Sequence, residues 1–220
     1  MTLISPSLLA ADFLHLDKDI EMINRSEADW LHLDIMDGEF VPNISFGFPV
    51  LSSIRKTLQK PMDVHFMIMH PEKYIDRTAE LGAMLMNVHI EACGTKTSDV
   101  INAIRSAGMK AGVTISPDTA VEEVYPYLSA ADLVLVMGVY PGFGGQRFIE
   151  DTIRKVRELR SFIDSNGLST LIQVDGGVDG RTAPLLVDAG CDVLVSGSYV
   201  FKAPDPMQTI SSLRGLCRKP

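Results

Sequence analysis

Eight short apolar segments alternate with eight charged, periodic ones along this 220-residue chain. The apolar segments are 3–8, 30–36, 63–69, 85–91, 110–115, 133–139, 171–175 and 193–197. Most are too short for core helices and rich in Val, Ile, Leu or Met, so they read as strands. Between them, helices are expected over 12–28, 49–59, 72–82, 97–107, 119–128, 147–165, 180–189 and 206–215. Pro71 before Glu72 reads as a helix start, and Asp179 as a cap. Gly82, Gly108, Gly167 and Gly190 follow helical runs, where a left-handed residue costs glycine little. Eight strand–helix pairs predict one (β/α)8 TIM barrel over residues 1–220, a single domain. A doubly wound sheet would leave strands over.

Composition narrows the partners. The net charge of −8 disfavours a broad nucleic-acid footprint. It leaves room for a small phosphate, which backbone donors can hold without basic side chains. Cys93, Cys191 and Cys217 are far apart and form no CxxC, as expected of reduced thiols. The first ten residues, MTLISPSLLA, carry no basic leader and no segment reaches the apolar length of a membrane helix, so a cytoplasmic protein without a membrane partner is expected.

The chemistry concentrates in WLHLDIMD, DVHFMI and LIQVDGG. Residues two apart on a strand face the same way, so His32 and Asp34 share a face, as do Gln173 and Asp175. With His65 they would converge at the C-terminal mouth of a barrel. Two Asp and two His buried without partners would be costly, and a divalent cation resolves the conflict. Imidazole and carboxylate suit Zn²⁺, Fe²⁺, Mn²⁺ or Co²⁺ and do not choose among them. Asp34 and Asp175 lie on well-separated strands. Two such carboxylates suit proton abstraction beside a carbonyl, one taking a proton and the other giving it, while a cation polarises the carbonyl.

Met36, Met67 and Met137 near strand ends would line the site with soft apolar surface. Gly176 and Gly177 after strand seven, and Gly197 and Ser198 after strand eight, form a candidate phosphate grip. In PGFGGQ, Gly142, Gly144 and Gly145 would make a mobile loop with Phe143 as a lid. Ser7 is a candidate contact to a substrate hydroxyl. His89 and Glu91, read as neighbours on one strand face, are candidates to support the site from behind. Asp37 and Asn43 are expected to shape the loop after strand two, and Arg147 stands within reach of a phosphate.

The segments SPSLLAADF, HLDIMDGEFVPNISFG, DVHFMI, HIEA, VLVMGVYPGFGGQRFI, VDGGV and GS run in order across nearly the whole chain. In this combination the chain resembles the ribulose-phosphate 3-epimerases. The resemblance implies reversible C3 epimerisation of D-ribulose 5-phosphate to D-xylulose 5-phosphate through an enediolate, in the pentose phosphate pathway. It implies one divalent metal per chain, zinc, iron, manganese or cobalt, held by His32, Asp34, His65 and Asp175. Asp34 would accept the proton and Asp175 donate it. Ser7, His65 and the three methionines would contact substrate, and Gly142 to Gly145, Gly176, Gly177, Gly197 and Ser198 would supply the lid and phosphate elements. It also implies a homo-oligomer, dimer or hexamer.

Three positions depart from the family pattern: Gly138 where Ser is usual, Ser116 before Pro117 where Asn is common, and Glu39 where His or Arg is common. They leave D-allulose 6-phosphate, or another ketose phosphate, as the alternative substrate. An aldolase or decarboxylase could share the enediolate. The Schiff-base kind is disfavoured, because no lysine lies within 32–36, 63–69, 133–139 or 171–175. A non-catalytic sugar-phosphate binder would have no need of both aspartates.

Overall fold

The computed structural model describes residues 2–218. Its eight strands are β1 (Leu3–Pro6), β2 (Leu31–Met36), β3 (Met62–Met67), β4 (Leu85–His89), β5 (Lys110–Ile115), β6 (Leu133–Met137), β7 (Leu171–Asp175) and β8 (Val193–Ser196). All pair in parallel, in the order β1-β8-β7-β6-β5-β4-β3-β2. A parallel bridge from Ser7 to His32 brings β1 against β2 and completes the ring. This is the expected (β/α)8 barrel.

The helices are α1 (Leu16–Arg25), α2 (Phe48–Arg55), α3 (Ile75–Glu80), α4 (Ile90–Cys93), α5 (Thr97–Ser106), α6 (Asp151–Ser165), α7 (Thr182–Ala189), α8 (Ser198–Phe201) and α9 (Pro206–Arg214). Their buried faces follow helical spacing, as with Val156, Leu159 and Ile163 on α6. Asp205 caps α9 by accepting from the Gln208 backbone N–H at 3.0 Å, with Pro206 at the first helical position. Asp179 accepts from the backbone N–H groups of Arg181 and Thr182, and α7 begins there rather than at residue 180.

One expected helix is not helical throughout. Residues 119–128 form two 3₁₀ turns, Val121–Glu123 and Tyr125–Tyr127. Pro126 supplies no N–H and disfavours the α conformation at Tyr125, so a longer helix cannot propagate. Pro71 opens a 3₁₀ turn, Pro71–Tyr74, that runs into α3. The fourth strand ends at His89, so Glu91 lies on α4 and not on the strand face expected for it.

Strand side chains divide between two environments. Leu31, Leu33, Val64, Phe66, Val88, Val113, Val134, Ile172 and Leu194 join the apolar shell packed under the helices. Trp30, Leu85, Leu133, Leu135 and Val193 pack together as a second apolar cluster that includes Met137. His32, Asp63, Asn87 and Gln173 share the alternate faces of their strands and are fully buried. That polar set lies within the strands, below the C-terminal mouth where catalytic groups gather in such barrels.

Candidate metal and catalytic site

Register brings the four expected residues together. Asp34 on β2 pairs with His65 on β3, and Asp175 closes β7 beside Met137 of β6. His32, Asp34, His65 and Asp175 each offer one ligand atom, all within 4.8 Å of one another. His32 Nε2 lies 3.3 Å from Asp34 Oδ1 and 3.8 Å from Asp175 Oδ2. His65 Nδ1 lies 3.0 Å and 3.8 Å from the same two atoms. Ligands at 2.0–2.2 Å around a tetrahedral cation stand roughly 3.4 Å apart, so the spacing fits one ion. His32 Nε2 is also buried without a hydrogen-bond partner. A polar atom left this way is costly unless something binds it. The residues therefore fit a divalent cation.

The two carboxylates are driven in opposite directions. Burial opposes ionisation of Asp34, but the charges and hydrogen bonds of His32 and His65 outweigh it and hold the carboxyl well below its usual range. Burial pushes Asp175 up to about 7, and the Asp34 charge adds to the effect. Burial works against a charged His32, yet Asp63 and Asp34 on either side raise its proton affinity. Burial lowers that of His65. The Asp175 side chain keeps 14% exposure, which leaves it open to the mouth.

The mouth opens into a cavity of about 680 Å³. Ser7, Asp34, Asp175 and the three expected methionines, Met36, Met67 and Met137, line it. So do Gly142, Phe143, Gly144 and Gly145 on one side, and Gly176, Gly177, Gly197 and Ser198 on another. His32 and His65 lie below it, fully buried. Ser7 donates to Asp34 Oδ2 at 2.7 Å, so its hydroxyl is turned toward the carboxylate.

Gly176 and Gly177 turn the chain at φ of +103° and +66°. A Cβ on Gly177 would meet Phe148 Cβ at 2.7 Å, so both conformation and space require glycine there. In the 141–146 loop, Gln146 Nε2 donates to the carbonyls of Tyr140 and Phe143, while the Phe143 side chain is half exposed. Asn43 Nδ2 donates to the Gly142 carbonyl at 2.7 Å and ties this loop to the one after β2. Asp37 accepts backbone N–H bonds from Glu39, Phe40 and Met69, the loop-shaping part expected of it.

Several residues escaped the sequence reading. Asp63 lies fully buried with His32 Nδ1 at 2.8 Å from its Oδ2. A usable signal existed, since Asp63 stands two residues before His65 and must share its face. Arg181 and Lys202 join Arg147 on the cavity wall, on two different loops, with no pattern to unite them. Lys155 is buried on α6, where it donates to the carbonyls of Ser116, Pro117 and Thr119 and braces the loop after β5. His89, expected to support the site from behind, does stand against it, its Nε2 3.0 Å from His65 Nε2.

Two imidazoles and two carboxylates converging inside a (β/α)8 barrel, beneath an open cavity, define a barrel enzyme fitted for a divalent cation. The chain belongs to the ribulose-phosphate 3-epimerase family, whose model matches residues 3–201. A ribulose-phosphate 3-epimerase of Bacillus subtilis (strain 168) is 42% identical over 216 residues, covering 98% of this chain and 99% of that one. One of Rhodobacter capsulatus is 48% identical over 199 residues, 90% and 86% of the two chains. The cytoplasmic isoform of Oryza sativa subsp. japonica is 42% identical over 96% and 92%.

Among solved structures, KGPDC from Streptococcus mutans superposes with a TM-score of 0.72 over 97% of this chain and 96% of that one, at 14% identity. A 3-hexulose-6-phosphate synthase does so at 0.70, over 99% and 100%, at 19% identity. These two likenesses concern the fold alone.

Proposed function

We propose that this chain interconverts D-ribulose 5-phosphate and D-xylulose 5-phosphate, with Asp34 and Asp175 exchanging the C3 proton. The observation that carries the reading is the convergence of His32, Asp34, His65 and Asp175, their ligand atoms within 4.8 Å of one another and one His32 nitrogen left unpartnered. The relatives named ribulose-phosphate 3-epimerase support the substrate. The enzyme belongs to the isomerases and, by that reaction, to the pentose phosphate pathway.

His32, Asp34, His65 and Asp175 would hold one Zn²⁺, Fe²⁺, Mn²⁺ or Co²⁺. When bound, the cation would polarise the ketose carbonyl and stabilise charge gathering on the substrate oxygens. Asp34 takes the C3 proton and Asp175 returns one from the other side. Strands β1 and β8 separate β2 from β7 around the ring, which gives the two carboxylates different directions of approach. In the reverse reaction the roles exchange. Ser7 steadies Asp34 and offers its hydroxyl to the sugar.

Met36, Met67 and Met137 limit water around the reacting carbon without offering an acid. Backbone N–H groups at Gly176, Gly177, Gly197 and Ser198 take the phosphate, and Phe143 closes the 142–145 loop over the sugar. Residues 1–220 act as one domain in the cytoplasm, a location supported by the rice relative. Among the described residues no helix is long and apolar enough to cross a membrane. Association into a dimer or hexamer is supported by exposed Phe13, Leu14 and Ile44.

Turnover in deuterium oxide tests the reading. Deuterium should enter C3 of both ketoses as they interconvert. Carbon–carbon cleavage, release of CO₂, or interconversion without isotope uptake would overturn it. Faster epimerisation of D-allulose 6-phosphate would move the assignment to a six-carbon ketose phosphate.

A further inference from the structure

Each imidazole at the metal position has a second ring nitrogen pointing away from it, and both end on a carboxylate. Behind His32 stands Asp63. Its Oδ2 accepts from Ser5 Oγ at 3.1 Å and from Gln173 Nε2 at 2.6 Å, and its Oδ1 accepts from Asn87 Nδ2 at 2.8 Å. His32 Nδ1 lies 2.8 Å from the same Oδ2. A carboxylate oxygen in that position accepts, so Nδ1 carries the hydrogen and the Nε2 lone pair faces the site. That Nε2 is the atom left without a hydrogen bond.

Behind His65 the carboxylate is reached in two steps. His65 Nε2 and His89 Nε2 are 3.0 Å apart, and His89 Nδ1 is 3.1 Å from Glu91 Oε2. A cation on His65 Nδ1 needs a lone pair there, which places the hydrogen on Nε2. His89 Nε2 must then accept it, and His89 Nδ1–H donates to Glu91. Glu91 is itself fixed, because its Oε1 accepts from the Ser116 backbone N–H at 2.7 Å and from the Thr119 hydroxyl. Phe40 packs on the His89 ring with centroids 4.7 Å apart and closes the other side.

We propose that Asp63 and the His89–Glu91 pair are positioning residues that lock the two imidazoles in their metal-ready tautomers and so set metal affinity. Asp63 acts on His32 directly, and Glu91 acts on His65 through His89. None of the three touches the cavity. The inference rests on the proposed metal site. In systems where a ligand histidine donates to an outer carboxylate, loss of that partner weakens metal binding by roughly 10- to 100-fold.

Metal-free protein titrated with Zn²⁺ against a chromophoric chelator reads the effect directly. Asp63→Asn and His89→Leu should each weaken the dissociation constant by roughly 10- to 100-fold. His89→Gln, whose amide oxygen can still accept from His65 Nε2–H, should recover much of the loss. With saturating Co²⁺, the variants should regain turnover while the visible spectrum of the bound ion shifts. Burial makes Asp63→Asn a risk to folding, and Glu91→Gln, with a partly exposed side chain, offers a gentler probe in the same direction. A purely structural part predicts lower thermal stability of the metal-free variants with unchanged Zn²⁺ binding, and that result would overturn the inference alone. Wild-type protein that takes up neither Zn²⁺ nor Co²⁺ would overturn the metal site and the inference together.

Discussion

The barrel lumen and the shell between strands and helices are built from the same strands by opposite rules. On β3, Met62, Val64 and Phe66 belong to the apolar shell, while Asp63 and His65 alternate with them. The shell faces are apolar and fill space under the helices. The lumen faces carry Ser5, His32, Asp63, Asn87 and Gln173, every one fully buried and tied to its neighbours by hydrogen bonds. The network leaves two buried atoms without a hydrogen-bond partner, His32 Nε2 and Asn87 Oδ1. The difference teaches that on β2, β3 and β7 packing is assigned to one face and the polar site to the other, while β6 and β8 present apolar side chains to the lumen.

The strongest way to break that division is to change each face once. Asp34→Asn on the lumen side should lower turnover by roughly 10²–10⁴ while the fold survives, because its part is proton transfer. Circular dichroism and steady-state rates check this; near-normal turnover would remove Asp34 from the chemistry. Phe66→Ala on the shell side should do the reverse. Phe66 is fully buried, and its loss leaves a cavity costing about 3–5 kcal/mol, read by urea unfolding. Turnover per folded molecule should hold. A comparable loss of turnover would mean the shell also sets active-site geometry.

Glu91 sharpens the comparison, because it sits where the lumen meets the loops. Burial opposes its charged form, but hydrogen bonds from His89, Thr119 and Ser116 prevail and lower its carboxyl to about 2. His89 itself is held at about 4 by burial, so near neutral pH the pair is a neutral imidazole donating to a carboxylate, not an ion pair. A depressed folded-state value means stability fully present above the usual carboxylate range and lost as pH falls through about 2. The shift corresponds to at most about 3 kcal/mol. Urea unfolding from about pH 6 down to about pH 3 should show wild type losing stability more steeply than Glu91→Gln. Parallel slopes would show that Glu91 gains nothing from its setting.

Gly112 tests how tightly the lumen is packed. A Cβ there would lie 1.6 Å from Asn87 Oδ1. Alanine is otherwise preferred to glycine within a strand, so any loss comes from the overlap. Gly112→Ala should cost about 1–3 kcal/mol, and it should weaken turnover as well, because Asn87 donates to Asp63. Stability lost with turnover intact would separate Asn87 from the site.

How much of this was legible depended on which face was being read. The shell could be read because hydrophobic runs and cap residues repeat with each strand–helix unit, and all eight strands fall within a few residues of expectation. Failures came where a local feature interrupts the repeat: Pro126 divides the stretch after β5, and the turn into α4 carries Glu91 off its strand. The four converging residues could be read from HLD, VHF and VDG, because strand alternation fixes their common face. Asp63 was accessible by the same rule. Its partners Ser5, Asn87 and Gln173 were not, since neither spacing nor residue type says which side chains meet across a lumen. Arg181 and Lys202 were invisible for a related reason: loop ends meet in space without any periodicity to announce it.

The cysteines give the smallest and cleanest probe of the shell. Cys93 is buried, and burial pushes its thiol up to about 12. Cys191 is buried too, with its Sγ donating to the Val193 carbonyl at 3.2 Å and its thiol raised by burial. Cys217 is exposed. Thiolate is the reactive species, so at neutral pH Cys93 offers about a thousandth of an ordinary thiol's reactive fraction even before access is considered. A maleimide should therefore modify Cys217 alone in the native protein, and Cys93 and Cys191 only through opening of the shell. Sites read by peptide mass mapping should follow that order, with all three modified in denaturant. If Cys93, just after β4, reacted as fast as Cys217, the shell would open locally beside His89. The division between a rigid shell and a functional lumen would then fail on the side that supports His65.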